Sequence, residues 1–311
     1  MRTIILSIGL VWLTGAAPKL AAATPETLAV LVNEPAALEG IDFDHKGAIY
    51  VTNNIDSTII KTDAQGQHAV KISVPSHPQV VLLTRDGGMV VTAHAKLPSF
   101  GGGGRGGPPV LTLTNLDSSI LILDKQGKLK QSFPGPPETF FNGITQLRQG
   151  VYIVADSTGG SLWRLDIKAK KLDRWFTDPS VESARGKGNF GGSNGIKAAN
   201  GWVYYTSRNL MWRVKVGADG KAEGPAVEHS KQGGDDFDVA ADGSIYISGD
   251  NKMLKVAGDG SVSTLAEMGV SCPSVRLSPD KKSVIATSRG SFPGAPGPVV
   301  PSRLIKISLG N

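Results

Sequence analysis

One two-part pattern recurs six times along this chain, and it leaves few folds open. A turn, often Asp-Gly, leads into a short apolar strand that ends on a hydroxyl residue or alanine. The copies are DHKGAIYVT (44–52), DGGMVVTA (86–93), RQGVYIVA (148–155), NGWVYYTS (200–207), DGSIYIS (242–248) and DKKSVIATS (280–288). Each is followed by a second alternating strand: STIIKTD (57–63), SSILILD (118–124), GSLWRLD (160–166), LMWRVKV (210–216), KMLKVAG (252–258) and SRLIKIS (302–308). Chance alternation does not preserve the order of two elements through six copies.

Short, evenly spaced strands with apolar side chains on both faces require sheets packed against both sides. The four-stranded blade of a β-propeller meets that requirement. Each repeat reads as an inner strand, the turn, a second strand, a loop, a third strand, a turn and an outer strand. HAVKISV (68–74), LKQSFP (129–134), LDRWFT (172–177) and VSTLAEM (262–268) supply outer strands. The last repeat runs out of chain after its third strand, and LAVLV (28–32) is expected to complete it. That exchange closes the ring and leaves no bare sheet edge. The fold class is therefore all-β: a six-bladed β-propeller closed by the N-terminal strand, with residues 24–311 forming a single domain.

Ahead of the repeats, Arg2, the apolar run from Ile4 to Leu13 and Ala21 to Ala23 have the layout of a signal peptide over 1–23, cut after Ala23. The apolar run is shorter than the roughly 20 residues that a membrane span needs. A periplasmic or secreted protein is expected, with no membrane insertion once the signal is removed. The one cysteine, Cys272, excludes an internal disulfide. The formal charge of +6 is scattered instead of gathered into a stripe, which argues against nucleic acid. A small-molecule substrate is the expected partner.

Three stretches exceed the repeat length: the glycine-rich 95–117, residues 178–193, and residues 289–301, which include GSFPGAPGPVVP. In a propeller all three emerge on one rim, where long loops shape ligand access.

Counting back from the turn, at its glycine in blades 1 to 5, gives the residue heading each inner strand. The heads are Glu39, Gln79, Asn142, Asn194, Asp235 and, in the last blade, Pro273 or Ser274. Such heads converge on the channel axis at the loop-rich rim. Two carboxylates facing each other among carboxamides make a poor arrangement without a cation. An oxygen donor set without thiolate or imidazole suits a divalent metal, Ca²⁺ above others.

LEGIDFDHKGAIYVTNN, FFNGITQLRQGVYIVADSTGGSLWRLD, SNGIKAANGWVYYTS and DDFDVAADGSIYIS resemble the blade motifs of the senescence marker protein/gluconolactonase/luciferin-regenerating enzyme family. Paraoxonases and diisopropyl fluorophosphatase are more distant relatives. The resemblance runs from residue 24 to the end and implies a six-bladed propeller. It also implies a catalytic divalent metal held by Glu39, Asn142, Asn194 and Asp235, and hydrolysis of lactones, esters or phosphotriesters. The family's Asp usually precedes Gly. Here Asp236 follows Asp235, so which carboxylate ligates stays open, and both are candidate catalytic groups. His94 and His77 are read as rim histidines, solvated by default, and Cys272 as a buried thiol.

Gly191 to Gly195 (GGSNG) fits the letters of G-x-S-x-G but opens an inner strand instead of a strand-to-helix elbow, and no H-E-x-x-H is present, which leaves serine-nucleophile and zinc-protease readings unsupported. The expected function is a metal-dependent hydrolase of a lactone or related ester, with Asp235, helped by Asp236, as base or nucleophile. The alternatives are a non-catalytic binding propeller with a structural metal, and lyase chemistry on a related propeller.

Overall fold

The computed structural model describes residues 22–97, 99–103, 107–112, 116–178, 191–249, 251–294 and 297–310. The expected signal lies almost wholly outside them, as does most of the insertion 178–193.

Six four-stranded antiparallel sheets follow one another around the ring. The inner strands, one per blade, are Leu38–Phe43, His77–Leu83, Phe141–Arg148, Ser193–Ala199, Phe237–Val239 and Ser274–Leu277. In blades 1 to 5 the chain then meanders outward to a fourth strand. In blade 6 the outermost position is taken by Glu26–Val32, which pairs antiparallel with Ser302–Ser308. The N-terminal closure read from the sequence is therefore present.

Local chemistry sets the meander. In blade 1 the Asp44 side chain accepts the N–H groups of Lys46 and Ala48, both at 2.9 Å, and Gly47 takes φ +85°, which disfavours a side chain there. The apolar faces then stack blade on blade, and one buried cluster fills each of the six seams. Between blades 2 and 3, for instance, Leu82, Val90, Ile120 and Phe133 meet Phe141, Ile144, Tyr152, Val154 and Trp163. Between blades 6 and 1, Ile285 and Leu304 meet Leu38, Ile41, Val51 and the Val32 of the closing strand.

The glycine-rich insertion 95–117 holds a feature the sequence reading missed. Ser99–Gly103 pairs with Gly107–Thr112 as a separate two-stranded hairpin.

Candidate functional site

In blades 1, 2 and 6 the threonine near the end of the second strand, visible in the repeat, stitches neighbouring blades at the level of the strand heads. Thr52 Oγ1 accepts the Gly40 N–H at 2.7 Å and donates to the Gln79 carbonyl at 2.8 Å. Thr92 Oγ1 does the same between the Val80 N–H, at 3.1 Å, and the Asn142 carbonyl, at 2.6 Å. Thr287 Oγ1 donates to the Glu39 carbonyl at 3.3 Å, joining blade 6 to blade 1. The pairing of the first four inner strands is irregular at this level, for example between Leu38 and Ile41 and between Phe141 and Ile144. Blades also touch most closely here. A Cβ on Gly40 would lie 2.6 Å from Val80 Cα, and one on Gly143 would lie 2.5 Å from the Asn194 carbonyl oxygen. Glycine after the head residue thus lets the sheets close in and carries the head's side chain to the channel mouth.

Five of the heads reach one cavity of about 720 Å³: Glu39, Gln79, Asn142, Asn194 and Asp235. The sixth, Ser274, points elsewhere. Its hydroxyl donates to Asp236 Oδ2 at 2.6 Å, while Asp236 Oδ1 receives Lys197 Nζ at 2.7 Å. Both oxygens of Asp236 are thereby committed to the channel wall, and Asp236 does not line the cavity. Adjacent residues of an extended chain face opposite ways. Asp236 is accordingly removed from the candidate catalytic groups, and Asp235 is the carboxylate that faces the cavity.

Asp235 is oriented by Asn194, whose Nδ2 donates to Oδ1 at 2.7 Å. Asn142 Nδ2 donates to Ser157 Oγ at 3.2 Å. With both amide nitrogens so used, the carbonyl oxygens of Asn142 and Asn194 are the ends suited to ligate a cation. Asn54, absent from the sequence reading, donates from Nδ2 to Gln79 Oε1 at 2.8 Å and also lines the cavity.

A second residue the sequence reading missed is Arg289, at the end of the second strand of blade 6. Its Nη2 lies 2.9 Å from Glu39 Oε1 and 3.4 Å from Asp235 Oδ2. Burial pushes the Glu39 carboxyl up to about 7, against the lowering influence of Arg289 and with a further rise from Asp235. The guanidinium therefore does not offset the burial of this carboxylate, so the mouth favours further positive charge. Hard oxygen donors from four blades together with an under-compensated carboxyl fit a divalent cation. No cluster of three or more His, Cys, Asp or Glu side chains placed for a metal occurs among the described residues. The candidate set is instead two carboxylates and two carboxamides.

The histidines differ from expectation. His94 is fully buried as the last residue of its strand, stacked on Phe140 at 4.1 Å, and is held far down, at about 3, by burial and then by His77. It is a neutral core residue, not a solvated loop histidine. His77 Nδ1 lies 2.8 Å from the Asn54 carbonyl. Cys272 is buried as expected, its thiol pushed up to about 12 by burial despite the nearby Arg289. Leu97, Phe292 and Pro293 carry two of the three insertions into the cavity lining.

No family model matches the chain, and no curated protein matches it. Solved structures do. A gluconolactonase from Xanthomonas campestris superposes with TM-score 0.67 at 13% identity, over 94% of this chain and 91% of that one. A luciferin-regenerating enzyme gives 0.66 at 14%, over 93% and 96%. The calcium-binding protein regucalcin from Agrobacterium tumefaciens gives 0.64 at 16%, over 93% and 97%. At such identities the likeness concerns the six-bladed fold, and at that level the resemblance read from the blade motifs is borne out.

Proposed function

We propose that this chain is a hydrolase of a lactone or related ester, working with a divalent cation, Ca²⁺ above others, at Glu39, Asn142, Asn194 and Asp235. The observation that carries the reading is the meeting of these four side chains at one cavity, with burial raising the Glu39 carboxyl to about 7. The likeness to a gluconolactonase and to the calcium-binding protein regucalcin lends it support.

Such an ion, when bound, supplies Lewis-acid polarisation of a carbonyl oxygen and stabilises charge that develops there. The chain supplies the rest. Asn194 orients the Asp235 carboxylate through Oδ1, and Oδ2, 3.4 Å from Arg289 Nη2, is the oxygen assigned to take a proton from water or to attack the carbonyl carbon once the guanidinium has moved off it. Single turnover in ¹⁸O-water separates the two roles, because label enters the Asp235 carboxylate only by direct attack. Phe140, Phe292, Leu97 and Ile55 give the cavity an apolar wall, while Asn54 and Gln79 offer hydrogen bonds to a polar substrate. We place the mature protein in the periplasm or outside the cell, on the strength of residues 1–23.

The test is a panel of lactones and aryl esters with and without chelator. Chelator-sensitive turnover supports the reading. Bound metal with no turnover of any member replaces the hydrolase by a binding propeller.

A further inference from the structure

Arg289 is anchored at the rim by its main chain. Its N–H donates to the Ser271 carbonyl at 2.7 Å, and the next residue, Gly290, donates to Ser302 Oγ at 3.1 Å. From that fixed base the side chain reaches the axis, with its guanidinium carbon 5.5 Å from the Phe292 ring centre. One nitrogen, Nη2, contacts carboxylates from blade 1 and blade 5 together. It lies in the space that a cation bridging those carboxylates would need.

Ca²⁺ and ions like it take carboxylate oxygens at about 2.3–2.6 Å. An amino group within hydrogen-bonding distance of both oxygens excludes such an ion by volume, and its positive charge repels it. We infer that Arg289 is a resident counter-cation, and that the Glu39–Arg289–Asp235 bridge and a divalent ion at these carboxylates are mutually exclusive. The inference rests on the proposed reading that the ion binds at Glu39 and Asp235. Metal entry then requires the guanidinium to swing away while the backbone stays in place. The displaced group remains in the cavity, where Arg289 is the one Lys or Arg among the described lining residues. The arginine thereby sets the metal threshold of the protein, since it competes with the ion for the same oxygens.

Calorimetric titration of Ca²⁺ into the metal-free mature chain tests this, comparing wild type with Arg289→Gln and Arg289→Lys. Removing a competitor that makes charge-assisted hydrogen bonds should tighten Ca²⁺ binding on the order of tenfold to a hundredfold in the glutamine variant. The lysine variant, which keeps the charge but shortens the reach, should fall between the two. Metal-free Arg289→Gln should melt below wild type and gain more from added Ca²⁺. If the glutamine variant does not fold, tighter binding by the lysine variant carries the same comparison. Equal or weaker Ca²⁺ binding in the variants, with wild type binding well, overturns the competition and leaves the metal reading standing. No binding of Ca²⁺, Mg²⁺ or Mn²⁺ by any of the three proteins ends both.

Discussion

Two carboxylate–arginine clusters stand on the channel, built from the same inner strands three residues apart. At the mouth, Glu39 and Asp235 share Arg289. Deeper down, Asp42 and Asp238 share Arg276, which lies 2.9 Å from one and 3.5 Å from the other. All four acids come from blades 1 and 5, and both arginines come from blade 6. The difference lies in what else meets the carboxylates. Asp42 Oδ2 accepts the Leu83 N–H at 2.8 Å, and Asp238 Oδ2 accepts the Leu277 N–H at 2.9 Å, each from the neighbouring blade. These acids cap the backbone of adjoining strands, so their positions are fixed by the sheets. Burial works against the Arg276 charge, yet Asp42 and Asp238 outweigh it and raise the group further. At the mouth Glu39 and Asp235 meet the side chains of Arg289 and Asn194, which can be exchanged without breaking a strand. The deep cluster joins blades, whereas the upper one has the means to bind a ligand.

The comparison can be broken in three places. The largest effect is expected at Asp235→Asn, which should lower lactone or ester turnover by on the order of a thousandfold or more while leaving circular dichroism unchanged. Asp238→Asn should behave the opposite way, losing stability while each folded molecule keeps its activity. Full turnover in Asp235→Asn removes the catalytic assignment. Next comes Arg276→Met, which strands two buried carboxylates and should destabilise by about 3–5 kcal/mol in urea unfolding. Arg289→Gln should cost less, because Glu39, already pushed up to about 7 by burial, can take a proton when the guanidinium is gone. Equal losses would erase the distinction between the clusters.

The smallest effect concerns pH. Glu39 binds its proton more tightly in the folded chain, at about 7 against an ordinary 4.5. Its contribution to metal-free stability is therefore full below about 4.5 and is lost as pH rises through about 7. Melting curves between pH 4.5 and 8 should show that decline in wild type and a flatter profile in Glu39→Gln. An unchanged profile would mean that the Glu39 carboxyl is already compensated.

The architecture was legible because each blade repeats the same turn and the same two apolar strands, and the orphaned last repeat demanded the closing strand near residue 28. Five strand heads were legible for a related reason: counting from the turn glycine fixes the register, and register fixes the face. The same alternation could have separated Asp235 from Asp236, since neighbours cannot both face the axis. Arg289 was not legible. It follows Thr-Ser at the end of a second strand, but Arg208 follows Thr-Ser in blade 4 and is exposed. What brings Arg289 inward is the pair of acids on blades 1 and 5, which are remote in sequence. The hairpin in the 95–117 insertion was hidden by glycine, whose lack of a side chain removes the alternation that marks a strand. His94 was misjudged because its strand runs one residue further than the hydroxyl-or-alanine rule suggested.

The most direct test of the central claim is an anomalous difference map from a crystal grown with Mn²⁺. The account predicts one strong peak enclosed by Glu39, Asn142, Asn194 and Asp235, with the Arg289 guanidinium turned away from it. A map without density there, or with its peak among other residues, would contradict it.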